Sequence, residues 1–235
     1  LFRRLWVDIN DEKPEPHVLG FQYARYEMIA SSRLGDRPHN QQGIWNSSWT
    51  PTSHSAHWLN ENVEKYYGLI ETANLSETGE PLWNWIKELS ITGAQHAQVD
   101  WGFHGWLAGQ CSDIWAKTSL ASNNNEWAIW PMGGVWLCNN LYDHYAFTLD
   151  KTFLRDRAYP ILKGACEFCL DLLVEKDGVL VTSPSTSPEN RFGLTDGGTA
   201  YAVTVGSTMD MALIRQPFTD TIDASTALDI DPDFR

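Results

Sequence analysis

The chain has 235 residues, 43% of them hydrophobic and 20% charged, with a net charge of −13 and a pI near 4.8. This size and balance describe a globular unit, either one large domain or part of a bigger one, and exclude a disordered chain. There is no basic run or patch, which argues against nucleic acid as a partner, and no stretch is apolar for long enough to span a membrane.

Residues 1–16 are polar and end in Pro14-Glu15-Pro16, so they read as a linker. The first residues, Leu1-Phe2-Arg3-Arg4, are neither a start methionine nor a signal peptide, which suggests a processed, partial or cut chain. From His17 to Ser32, Leu19, Tyr23, Tyr26 and Ala30 recur at three- and four-residue steps, with Phe21, Ala24, Met28 and Ile29 on the flanks. That spacing predicts a helix. Ser31 to Thr52 is a long loop holding Asn40-Gln41-Gln42-Gly43-Ile44-Trp45-Asn46, and loops of this length inside compact domains tend to be functional.

Two further helices are expected over about 59–72 and 79–98, the second with Leu82, Trp85, Ile86, Leu89, Gly93 and Ala97 on one face. Asn74-Leu75-Ser76-Glu77 joins them. It fits a helix N-cap and also a glycosylation sequon, as does Asn46-Ser47-Ser48. Residues 99–127 form a second long loop with Trp101, Trp106, Asp113, Trp115 and the run Asn123-Asn124-Asn125. A helix then starts near Pro131, a favoured first position, and carries Trp136, Leu137, Leu141 and Tyr145 toward Thr148. Its Gly133-Gly134 pair points to close packing or to backbone approach to a ligand.

Asp150 to Val174 reads as a helix pair with Pro160 restarting the second member. The short apolar run Val179-Leu180-Val181 leads into Ser183-Pro184-Ser185-Thr186-Ser187-Pro188-Glu189-Asn190, and a Gly-rich segment follows from Leu194 to Thr199. The two prolines exclude helix there and stiffen the backbone, leaving one carboxylate, Glu189, on a rigid turn. A carboxyl held in this way suits general acid chemistry, whereas an ordinary surface turn would leave Glu189 solvated. The last helix runs from about Gly206 to Leu228.

The expected fold is therefore all-α, with about six sizeable helices and almost no strand. Short and long connections alternate, as in an α/α toroid whose long loops gather at one end. A plain bundle would have short loops throughout, and no fixed repeat period marks a solenoid. Twelve tryptophans are unusual for this length. Their flat apolar faces suit the C–H faces of sugars, although most of them serve the core equally well. Cys111, Cys138, Cys166 and Cys169 lack zinc spacing and a redox-fold context, so they read as buried small hydrophobes. His54 and His57 have no third ligand, so neither a metal nor a cofactor is implied.

Several stretches together resemble the catalytic domain of glycoside hydrolase family 95, the inverting 1,2-α-L-fucosidases. They are Phe21-Gln22-Tyr23-Ala24-Arg25-Tyr26, Gln42-Gly43-Ile44-Trp45-Asn46, Asn74-Leu75-Ser76-Glu77, Asp113-Ile114-Trp115, Trp130-Pro131-Met132-Gly133-Gly134, Ser185-Thr186-Ser187-Pro188-Glu189-Asn190 and Thr208-Met209-Asp210-Met211. They follow the family's order from residue 17 to the end.

The resemblance implies that residues 17–235 are the N-terminal half of an (α/α)6 barrel, an incomplete toroid as the chain stands. It gives Glu189 the role of general acid, and it makes Asn60 and Asn62 the pair that positions the attacking water. Trp45, Asp113, Trp115, Trp130, Trp136 and Asn190 become candidate substrate-binding residues. The implied partner is a fucosylated oligosaccharide or glycan, and the implied location is secreted or extracellular.

The chain departs from the family's pattern in four places. The base aspartate belongs downstream of Met211, beyond Arg235, and no β-sandwich domain precedes the barrel. The family's aromatic end after the paired asparagines reads Val63-Glu64-Lys65-Tyr66-Tyr67-Gly68, and its two histidines before Asp113 read Gly109-Gln110-Cys111. Losing histidines that meet substrate hydroxyls weakens binding. Two functions compete on these grounds. One is a fucosidase impaired by truncation, and the other is a non-catalytic relative that at most binds sugar. An α-glucoside-type (α/α)6 enzyme is a third, disfavoured by Ser185-Thr186-Ser187-Pro188-Glu189-Asn190.

Overall fold

A computed structural model describes residues 16–119, 126–193 and 200–235. The linker up to residue 15, the Asn123-Asn124-Asn125 run and the Gly-rich segment from Leu194 to Thr199 lie outside these residues. The described chain is mainly helical, with a few short strands.

Helix α1 (Pro16–Ser31) docks by its C-terminal end. Met28 is buried, while Leu19, Tyr23 and Tyr26 lie at the surface, so the stripe expected to face inward does not. Polar bonds fix that end instead: Ser32 Oγ donates to the Thr78 carbonyl (2.7 Å) and pairs with the Tyr67 hydroxyl (2.7 Å). After the loop, β1 (His57–Trp58) leads to α2, which is confined to Asn62–Tyr67 rather than spanning 59–72. Turns occupy the rest of that range. Asn74, at φ 55°, ends them in the left-handed region and caps no helix, because no side-chain cap bond opens the 3-10 turn Ser76–Gly79.

Helix α3 (Glu80–His96) starts with Pro81 in its first turn, where the missing N–H costs nothing. It buries Leu82, Trp85, Ile86 and Leu89, the face read from the spacing. A π-turn (Ala97–Trp101) ends it at Gly102, φ 70°. β2 (Cys111–Ser112) pairs antiparallel with β1, Trp58 opposite Cys111.

Helix α4 (Gly133–Thr148) stops at Leu149, φ 56°. The Asp150 carboxylate then accepts from the Thr152 and Phe153 amides (2.8 and 3.1 Å) and caps α5 (Lys151–Phe153). A π-turn (Leu154–Ala158) runs directly into α6 (Tyr159–Leu172), so the expected helix pair is one continuous rod. Widening at the π-turn accommodates Pro160, whose ring would clash with a carbonyl four residues back in a regular helix. Strands β3 (Leu173–Lys176) and β4 (Val179–Thr182) follow as a hairpin. Asp177 and Gly178 both have positive φ, as a tight two-residue turn demands. Short β5 (Phe192–Gly193) and β6 (Ala200–Tyr201) pair, and α7 (Thr208–Leu228) closes the described fold against α4 and α6.

The core is centred on the segment Gly105–Ala108, which threads between α3, α4 and α6. Trp106 is 3% exposed and donates its indole N–H to the Ile161 carbonyl (2.9 Å). A Cβ at Gly134 would strike the Trp106 ring, and one at Gly105, φ 67°, would strike the Gly164 carbonyl. Gly133 and Gly134 therefore serve close packing, the first of the two readings open in the sequence. All four cysteines are free. Cys138, Cys166 and Cys169 are buried, whereas Cys111 is only half-buried.

Glu64 sits inside α2 at 5% exposure, and both its carboxyl oxygens lack a partner among the described residues. Burial pushes its pKa well above the usual carboxylate value of 4.5, with Glu61 raising it further and Lys65 opposing. The folded chain thus holds a proton that the unfolded chain releases once pH exceeds that ordinary value. Stability is lost as pH rises through the window between the unfolded and folded values. Glu64→Gln, which cannot ionise, is expected to be more stable than the parent at pH 8. The gap should narrow by up to roughly tenfold in the folding equilibrium per pH unit toward pH 5. Thermal melts of both proteins at the two pH values check this; a gap independent of pH would place the carboxyl in water.

Candidate active site

The antiparallel β1–β2 pair sets the site's floor. Just past it, the Leu59 amide donates to the Gln110 carbonyl (2.6 Å), which brings Asn60 and Gln110 side by side. Facing them is the proline-flanked stretch. Ser185 bridges to Thr204 through reciprocal backbone bonds (2.9 and 2.7 Å), and the Asn190 amide closes on the Ser187 carbonyl (2.7 Å).

This loop is anchored to the start of α7 by one buried carboxylate. Asp210 accepts from Ser185 Oγ (2.6 Å), the Trp130 indole (2.9 Å) and Thr182 Oγ1 (3.0 Å). Burial raises its pKa, and the hydrogen bonds from Ser185, Trp130 and Thr182 hold it back. Ser207 caps α7 by accepting from the Asp210 amide (3.2 Å) and donates to the Thr186 carbonyl (3.0 Å).

Glu189 is thereby held over a cavity of 780 Å³. Gln41, Trp58, Asn60, Glu61, Asn62, Trp127, Trp136, Pro188 and Met209 line it, with Ser53 at one side. Glu189 Oε1 accepts from Gln110 Nε2 (3.2 Å) and, at longer range, from Asn60 Nδ2 (3.5 Å). Glu189 is itself exposed at the mouth. Asn60 and Gln110 are buried, and Asn60 Oδ1 and Gln110 Oε1 have no partner among the described residues. Burial raises the pKa of the Tyr66 hydroxyl, and the Asn62 and Gln41 side chains nearby oppose the rise. Arg191 pairs with Glu126, joining the acid's loop to the turn that carries Trp127. Aromatic walls around a few convergent amides and two carboxyls, Glu61 and Glu189, match what a sugar ring presents.

Four of the residues singled out in the sequence meet here: Glu189, Asn60, Asn62 and Trp136. The other five lie elsewhere among the described residues. Trp45 and Trp115 are exposed at 47% and 77% and do not line the cavity. The Asp113 carboxylate accepts from the Trp115 and Lys117 amides (2.8 and 3.4 Å) and so shapes its own turn. Trp130 is fully buried on Asp210, and Asn190 is exposed beside Glu189. Trp58 and Trp127 escaped the sequence reading as site residues. Gln41 lies in the Asn40–Asn46 loop expected to be functional, and Gln110 stands where the resemblance noted absent histidines, but neither was named as a site residue. Among the described residues no group of three or more His, Cys, Asp or Glu could hold a metal ion, and no helix is long and apolar enough to cross a membrane.

The catalytic-domain profile of glycosyl hydrolase family 95 matches residues 4–235. The chain belongs to this family. It is 46% identical over 220 residues to alpha-L-fucosidase 2 of Arabidopsis thaliana, a match covering 93% of this chain and 26% of that protein. It is also 33% identical over 221 residues to probable alpha-fucosidase A of Aspergillus niger, covering 91% and 27% respectively. The chain thus spans about a quarter of the length of these relatives. Family 95 membership makes it part of a glycosyl hydrolase catalytic domain.

Proposed function

We propose that this chain carries the acid side of an inverting α-L-fucosidase acting on terminal fucose of secreted or extracellular glycans. The observation that carries the reading is Glu189, held by buried amides over an aromatic-walled cavity in a family 95 domain. The names of the two relatives supply the sugar. The alternation of short and long helix connections supports an (α/α)6 toroid, of which residues 17–235 are the N-terminal half.

In this mechanism Glu189 gives its proton to the glycosidic oxygen as the C1–O bond breaks. Water attacks C1 from the opposite face and passes its proton to a base. Asn60 approaches the acid through Nδ2 at 3.5 Å and lines the cavity that would hold that water. Asn62 lies further along the cavity wall and completes the water's seat. An amide orients water but takes no proton, so a separate base is needed, and the resemblance to family 95 implies an aspartate downstream of Met211 for it. Residues 1–235 on their own are expected to be a weak or dead catalyst, and fucose release by them at the full-length rate would sink that clause.

The test is the anomer first released from an α-1,2-fucosylated oligosaccharide by the full-length chain, read by proton NMR before mutarotation. β-L-Fucose is expected. Initial α-L-fucose would mean retention, and no release would favour a non-catalytic, sugar-binding relative.

A further inference from the structure

We propose that Gln110 is a positioning residue that fixes which oxygen of Glu189 carries the transferred proton. The inference rests on Glu189 acting as the acid. Gln110 is 0% exposed and does not line the cavity, so it reaches the reaction only through Glu189. Its Nε2 donates to Oε1 at 3.2 Å, and Asn60 Nδ2 approaches the same oxygen at 3.5 Å. No bond from the described residues to Oε2 accompanies them.

The consequence follows from hydrogen-bond valence. In a neutral carboxyl group one oxygen is a hydroxyl donor and the other a carbonyl acceptor. Two N–H groups aimed at Oε1 make it the carbonyl oxygen, so the proton resides on Oε2. A carboxyl free to rotate would present the hydroxyl to the glycosidic oxygen only part of the time. A carboxyl held by amides presents it continuously, which is preorganisation of the kind that lowers an activation barrier.

Gln110 is itself held well for this task. Its backbone carbonyl accepts the Leu59 amide at 2.6 Å, its neighbour Cys111 is in register with Trp58 on β1, and burial packs its side chain, whose Oε1 has no partner among the described residues. Where the sequence shows only absent histidines, the structure places an amide that serves the acid.

The experiment compares Gln110→Met with the parent in the full-length chain on two substrates. One is a fucosyl oligosaccharide, whose alkoxide leaving group needs a proton. The other is α-L-fucosyl fluoride, whose leaving group needs little proton assistance. Methionine keeps the volume and removes the donor. On the oligosaccharide kcat is expected to fall about 10- to 100-fold, a part of what a positioned acid contributes, with KM within about threefold. On the fluoride the loss should stay under about threefold.

Equal losses on both substrates would overturn the proposal in favour of a purely structural role, and no loss on either would remove Gln110 from the mechanism. Gln110→Leu, which removes the donor without adding a charge or a titratable group, reads the same ratio if the methionine variant does not fold. Glu189→Gln run alongside separates the two claims: full oligosaccharide activity in that variant would overturn the acid assignment itself.

Discussion

Glu189→Gln in the full-length chain is expected to lower kcat on a fucosyl oligosaccharide by about 10² to 10⁴, the span of a general acid's contribution. KM should stay within about threefold, because glutamine keeps the shape and loses only the transferable proton. The surrounding bonds predict the same selectivity. Gln110 and Asn60 donate to Oε1, an oxygen the amide retains, so loop and cavity survive the change. Glu27→Ala, on α1 and outside the cavity lining, is the matched control and should keep parental kcat. Equal losses in the two variants would remove Glu189 from its role.

The second large effect is on stability. Asp210→Ala is expected to cost about 3–5 kcal/mol, because it strips the acceptor from three buried donors at once. Those donors are Trp130, Thr182 and Ser185, and all three belong to the frame that holds Glu189. For a domain of this size the loss corresponds to a fall of about 10 °C in Tm. Asp210→Asn should fall in between, since its amide oxygen still accepts and the two hydroxyls can rotate. Calorimetry on the full-length variants decides it: a Tm within about 2 °C of the parent for Asp210→Ala would mean the loop is held elsewhere.

The legible parts of this fold were those set by local rules. Leu82, Trp85, Ile86 and Leu89 gave α3 its face, and the chain buries that face. Where punctuation competes with spacing, the spacing misled. The apolar pattern over 59–72 extends past α2, but the helix ends at Gly68 and the chain continues in turns up to Asn74 at φ 55°. Val174 continued the pattern of α6, yet Asp177-Gly178 folds it into a hairpin. That dipeptide was a readable signal that the apolar spacing overrode.

The site was legible only in part, for a different reason. Glu189, Asn60 and Asn62 belong to short stretches that resemble family 95 stretches. Gln110 meets Glu189 across 79 positions of sequence, and Trp130 meets Asp210 across 80. No local pattern encodes such pairs. Trp130 looked like a sugar platform because tryptophans suit sugars, but only the packing shows its ring fully buried with its N–H on a carboxylate.

The loop bearing Glu189 is clipped twice, at Ser185–Thr204 and again where Phe192 and Gly193 meet Tyr201 and Ala200. Both clips are made by backbone bonds, so the side chains that flank them can change without releasing the turn that holds Glu189. Loop shape and loop chemistry are thus separable along the described part of this stretch.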